Sequence, residues 1–170
     1  MRLFWRKGYA ATSVEDLTET LHLSRSSLYD TFGDKRTLFL EALKFYSESV
    51  LDATSRTLNE SPSPIAGIQK VFDDIIASID SETGALGCFM VNSVAELVPY
   101  DPDVTEIATT YSESIQKLFI TVLMQAKSQN MLTEKQTPHQ LAAYIFNTVQ
   151  GIRIPIRVQR GRNFVESHDQ

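Results

Sequence analysis

Residues 24 to 35, SRSSLYDTFGDK, set an arginine, three serines, a tyrosine, a threonine and a lysine around two apolar side chains, Leu28 and Phe32. Those side chains supply hydroxyl donors and cations, the chemistry that meets phosphate oxygens and base edges. Ser24 suits a helix N-cap, where its hydroxyl accepts from a first-turn N–H. Arg25, Ser26 and Ser27 would then stand at the N-terminal end, where free N–H groups and the helix dipole favour a phosphate. Tyr29, Asp30 and Thr31 follow within reach of bases or backbone from a helix resting in a groove. Lys35, past the helix, could neutralise a phosphate, and Thr12 opens the preceding helix for another backbone contact. An ordinary solvated helix start has much the same composition, so the surrounding elements must decide.

Those elements are short helices. Leu3, Phe4 and Trp5 end a first one before Gly8, which can adopt the positive φ that stops it. Thr12 three residues before Glu15 matches a capping box, with Ser13 as the other cap, and Val14, Leu17 and Leu21 give the second helix an apolar face. Leu23, Leu28 and Phe32 form the inward side of the third. Two short helices joined by a tight connection make a helix-turn-helix, whose second helix enters the major groove by its N-terminal end.

Beyond residue 47 the helices lengthen. Apolar spacing of three and four marks Leu38 to Ala53 and Ile65 to Ile79, the second opened by Pro64. PYDPD punctuates at 99 to 103, then Val104 to Leu123 reads as a long helix. Thr137 caps a further stretch, Leu141 to Ile156. Strand-like alternation is nearly absent, so the expected class is all-α, with about eight or nine helices. The short helices and the long ones divide the chain into two expected domains, 1–47 with the helix-turn-helix and 48–170.

At 170 residues, 42% hydrophobic and 22% charged, the chain can bury a real core. No apolar run reaches bilayer length and no signal-peptide pattern opens the chain, so a cytoplasmic protein without a membrane partner is expected. The net charge of -5 divides unevenly: residues 1–47 hold seven Lys+Arg against six Asp+Glu, and the remainder nine against fifteen. A near-neutral head on an acidic body suits a chain with two kinds of partner. One cysteine and three scattered histidines offer neither a disulfide nor zinc-type spacing. No catalytic Ser-His-Asp or Cys-His grouping and no glycine-rich phosphate loop appear, so neither an enzyme, a metal nor a cofactor is expected.

Residues 3 to 43 resemble the DNA-binding domain of the TetR family of transcriptional regulators. The resemblance rests on Phe4, Gly8 and Tyr9, Thr12 to Val14, and then Ser24, Leu28, Tyr29, Phe32 and Lys35. It implies a homodimer on a palindromic operator, and DNA contacts at Thr12, Arg25, Ser26, Ser27, Tyr29, Thr31 and Lys35. Tyr29 and Lys35 are expected at phosphates, Arg25 and Ser27 at base edges. Asp30 departs from the aromatic common at its position; it would accept from a cytosine amino group or orient Arg25.

The resemblance makes the rest a ligand-sensing and dimerising domain. Phe72, Ile76, Cys88, Phe89, Asn92, Tyr111, Ile115, Phe119, Tyr144 and Asn147 are its candidate effector-lining residues, for a small apolar or aromatic ligand. Each would serve equally as plain core. Asn92 stands four residues after Cys88 amid apolar neighbours, where a buried amide needs a partner. Cys88 near a helix start suggests an oxidant or electrophile sensor, although a lone cysteine on an apolar helix is more often a small buried hydrophobe. Family members usually carry a longer first helix and two long final ones, so both termini are expected to lack residues. A helical interaction module without DNA binding is a further reading, against which the intact 24 to 35 segment speaks.

Overall fold

The computed structural model describes residues 1–79, 81–133 and 135–166, with side chains as far as residue 153. Its described residues are helical, without a strand: α1 (Arg2–Lys7), α2 (Val14–Leu21), α3 (Arg25–Phe32), α4 (Lys35–Glu60), α5 (Pro64–Ser78), a short 3-10 turn (Gly84–Leu86), α6 (Phe89–Leu97), α7 (Pro102–Ser128) and α8 (Pro138–Glu166).

Local chemistry explains most helix ends. Ser63 caps α5 by accepting from the Ala66 N–H at 3.2 Å, and Pro64 fills the first helical position, where no N–H is required. Thr137 opens α8 in the same way: the Gln140 N–H donates to its hydroxyl at 3.2 Å, and the Gln140 side chain accepts from the Thr137 N–H at 2.9 Å. Asp101 precedes Pro102 and accepts from the N–H groups of Asp103 and Val104, starting α7.

Two compact units divide the chain. The first comprises Met1–Ser49 together with Phe89–Thr109, so it draws on residues from both sides of position 47. Its core is aromatic. Phe4 meets Phe39 edge-on at 5.3 Å, Tyr9 lies 4.9 Å from Phe39, and Phe89 meets Phe39 and Tyr46 edge-on at 5.8 and 5.7 Å. Trp5 stands edge-on to Tyr46 at 5.1 Å and tilted against Phe89 at 6.0 Å. Such pairs each add about 0.5–1.5 kcal/mol beyond area burial, which helps short helices to hold. Leu17 of α2 and Leu28 of α3 are buried, and α2 packs against α3.

The second unit comprises Val50–Cys88 and Thr110–Gln170. Leu58, Ile68, Val71 and Ile75 are buried in it, as are Tyr111, Ile115, Phe119, Leu123, Ala142 and Ile145. The Ala126 side chain is closed off as well, and α8 packs on the 3-10 turn. Gly67 admits the end of α4: a Cβ there would stand 3.2 Å from the Leu58 carbonyl oxygen.

Candidate nucleic-acid interface

The helix-turn-helix is built from two capped helices and one turn. Ser13 caps α2, taking the Asp16 N–H at 3.0 Å, while the Asp16 carboxylate accepts from the Ser13 N–H at 2.9 Å. Lys7 adds a 2.7 Å bond to the same carboxylate. Hydrogen bonds from Lys7 first and the Ser13 backbone next hold the Asp16 carboxyl down at about 2. The capping box is therefore Ser13 with Asp16, not Thr12 with Glu15. His22 ends α2 in the left-handed region at φ 52°, and its neighbour Leu23 leads into the next cap.

Ser24 starts α3, its hydroxyl accepting from the Ser27 N–H at 3.1 Å and lying 3.0 and 2.8 Å from the Ser26 and Ser27 hydroxyls. Leu28 is 0% exposed and anchors the helix. Around it Arg25, Ser26, Ser27, Asp30 and Thr31 are exposed and Tyr29 is half-buried. Thr31 donates to the Ser27 carbonyl at 2.8 Å, and Gly33, at φ 79°, closes the helix with its N–H on the Tyr29 carbonyl. Arg25 carries its guanidinium 5.8 Å from the Tyr29 ring centre and 3.5 Å from Glu15. Tyr29 first, then Glu15, raises its already high pKa, so the group stays charged at any working pH. The carboxylate nearest Arg25 is thus Glu15 of α2 rather than Asp30.

Two expected phosphate contacts are turned inward. Thr12 is 0% exposed and donates to the Gly8 carbonyl at 2.6 Å, because that carbonyl otherwise loses a partner where α1 stops. Lys35 donates to the carbonyls of Tyr9 and Thr12 at 3.0 and 2.9 Å. Both side chains serve the α1–α2 connection.

Three contacts in the first unit escape sequence reasoning. The Tyr9 and Ala10 N–H groups donate to the Glu96 carboxylate of α6 at 3.0 and 2.7 Å. Arg36 at the start of α4 forms a forked pair with Asp101, 3.0 and 2.8 Å, and a further bond to Asp103. Asp101 is lowered from the usual carboxylate range chiefly by Arg36. Partners this far apart leave no local pattern; only Asp101 before Pro102 signals a helix cap.

The expected effector residues differ in burial and are divided between the two units. Phe89 belongs to the aromatic core of the first unit, and Asn92, half-buried, falls in that unit too. In the second, Cys88, Tyr111, Ile115 and Phe119 are buried and Phe72 is half-buried. Cys88 and Tyr111 interact; burial pushes the Tyr111 hydroxyl well up, with Cys88 adding to it. Ile76, Tyr144 and Asn147 are exposed in the chain, the first two at 56% and 71%. Their place on apolar stripes pointed inward, and the structure corrects that.

Two short capped helices, α2 and α3, packed on each other across a tight connection form a helix-turn-helix, with the N-terminal end of α3 exposed. The family described as bacterial regulatory proteins, tetR family, matches residues 1–42, and the tetracyclin repressor-like C-terminal domain matches 64–167. The chain belongs to the TetR family of helix-turn-helix transcriptional regulators, which are not enzymes. It is 30% identical over 169 residues to the uncharacterized HTH-type transcriptional regulator YezE of Bacillus subtilis, covering 99% of this chain and 87% of that protein. It is 26% identical to the HTH-type transcriptional repressor ComR of Escherichia coli, covering 92% and 75%. Its fold matches that of a cysteine mutant of the TetR family regulator CifR complexed with a 26-base-pair double-strand operator DNA, with TM-score 0.80, 24% identity and coverage of 92% and 82%.

Proposed function

We propose that the protein is a cytoplasmic repressor that binds a palindromic operator as a homodimer and is released by a small apolar or aromatic effector. The observation that carries this reading is α3 itself: Leu28 is fully buried while Arg25, Ser26 and Ser27 stand exposed at the capped N-terminal end. Such an end meets phosphate with its N–H groups and base edges with its side chains. ComR is named a repressor and a CifR mutant has been solved in complex with operator DNA, which favours the same role here. One α3 makes too few contacts for tight binding, so two copies would read two half-sites about one helical turn or a multiple apart. The buried apolar side chains of the second unit, with Tyr111 as a polar tip, suit an effector of that class. Effector and operator would then oppose each other by reciprocal linkage.

The test selects duplexes from a random library on the full chain and measures binding across a salt series. A palindromic consensus, bound by two chains with affinity falling steeply as salt rises, is the expected result. No enriched sequence, or binding insensitive to salt, overturns the reading.

A further inference from the structure

The α1–α2 connection is gripped from two sides inside the first unit. From α6, the Glu96 carboxylate takes the consecutive N–H groups of Tyr9 and Ala10 at 3.0 and 2.7 Å. From the start of α4, Lys35 holds the Tyr9 and Thr12 carbonyls. Gly8 makes room for the first grip: it sits at φ 85°, and a Cβ there would stand 2.9 Å from Glu96 Oε2. Successive N–H groups after a positive-φ residue form a concave anion seat, which Glu96 fills. The following helix, α2, packs against α3, so the pose of this connection sets the pose of the face offered to DNA.

We propose that Glu96 is a positioning residue for operator recognition: seated on the Tyr9 and Ala10 amides, it fixes the α1–α2 connection and completes a DNA-binding unit made of residues 1–49 and 89–109. Glu96 touches no DNA in this scheme. Its loss loosens α2 and α3 within a folded protein, so contacts that need exact aim at base edges weaken while phosphate contacts, which tolerate displacement, persist. The inference rests on the reading of the protein as an operator-binding regulator.

The experiment uses the full chain and its Glu96→Gln and Glu96→Ala variants. Binding is measured on the selected duplex and on a random-sequence duplex of equal length, at temperatures where unfolding curves show all three folded. Glu96→Ala is expected to lose about tenfold in operator affinity, the scale of one charge-assisted hydrogen bond. Glu96→Gln, which keeps an acceptor, should fall between it and the parent. Affinity for random duplex and the salt slope should stay unchanged. Amide exchange of Tyr9 and Ala10 should quicken in the variants; should Glu96→Ala not fold, Glu96→Gln alone is read. Parental operator affinity in the folded variants, or equal losses on both duplexes, overturns the proposal. Failure of the parent chain to prefer any duplex instead defeats the operator reading on which it stands.

Discussion

The Lys35 ammonium lies 4.3 Å from the centre of the Tyr9 ring while it donates to the Tyr9 carbonyl at 3.0 Å. One side chain thus engages both the ring and the backbone of the same residue, and a second carbonyl, that of Thr12, completes its set. A cation held this way stabilises the fold.

Lys35→Ala should accordingly destabilise the first unit by about 2 kcal/mol, since it strips two charged hydrogen bonds from half-buried carbonyls. Urea unfolding measures the loss. The salt slope of operator binding by the folded variant should be unaltered, because no phosphate contact is removed. Arginine should restore little: its planar fork does not reproduce three donors on a point charge.

Arg25→Ala should behave in the opposite way. The side chain is exposed, so stability should stay within about 0.5 kcal/mol of the parent. Operator affinity should drop by about tenfold or more, with discrimination relaxed at one base position in each half-site. Competition binding against single-base variants of the selected duplex checks this.

Gly8→Ala combines two penalties. The position lies at φ 85°, where a side chain is strained, and the added methyl meets Glu96. A cost of about 1–3 kcal/mol is expected from the backbone alone. Thermal unfolding reads it.

Asp16 predicts a pH effect. Its carboxyl titrates at about 2 in the folded protein against an ordinary 3.8. The depressed value means that its stabilisation is full above about pH 4 and is lost as pH falls toward 2. Asp16→Asn should therefore be less stable than the parent at neutral pH and should flatten the acid limb of the stability profile, the two profiles converging as pH falls toward 2. Unfolding curves at stepped pH provide the comparison.

Local chemistry made much of the fold legible. Ser24, Ser63 and Thr137 cap as their types demand, and Leu28 lands on the buried side because the three-and-four spacing leaves it nowhere else. The Thr12 and Ser13 pair shows where such reasoning stops. Each hydroxyl has an acid three residues on, so both boxes satisfy the pattern, and the choice falls to Lys7 at Asp16 and to the Gly8 carbonyl at Thr12. Arg36 with Asp101, and Glu96 with Tyr9, join residues with no sequence proximity; only packing of α6 and the start of α7 into the first unit brings them within reach. Ile76 and Tyr144 sit on apolar stripes wider than the faces the chain itself covers.

Trp5, the chain's only tryptophan, packs against both Tyr46 and Phe89 in the first unit. Its fluorescence is consequently a native optical label on the DNA-binding unit alone. Emission shifts on adding duplex or effector would report rearrangement of that aromatic cluster without any introduced dye.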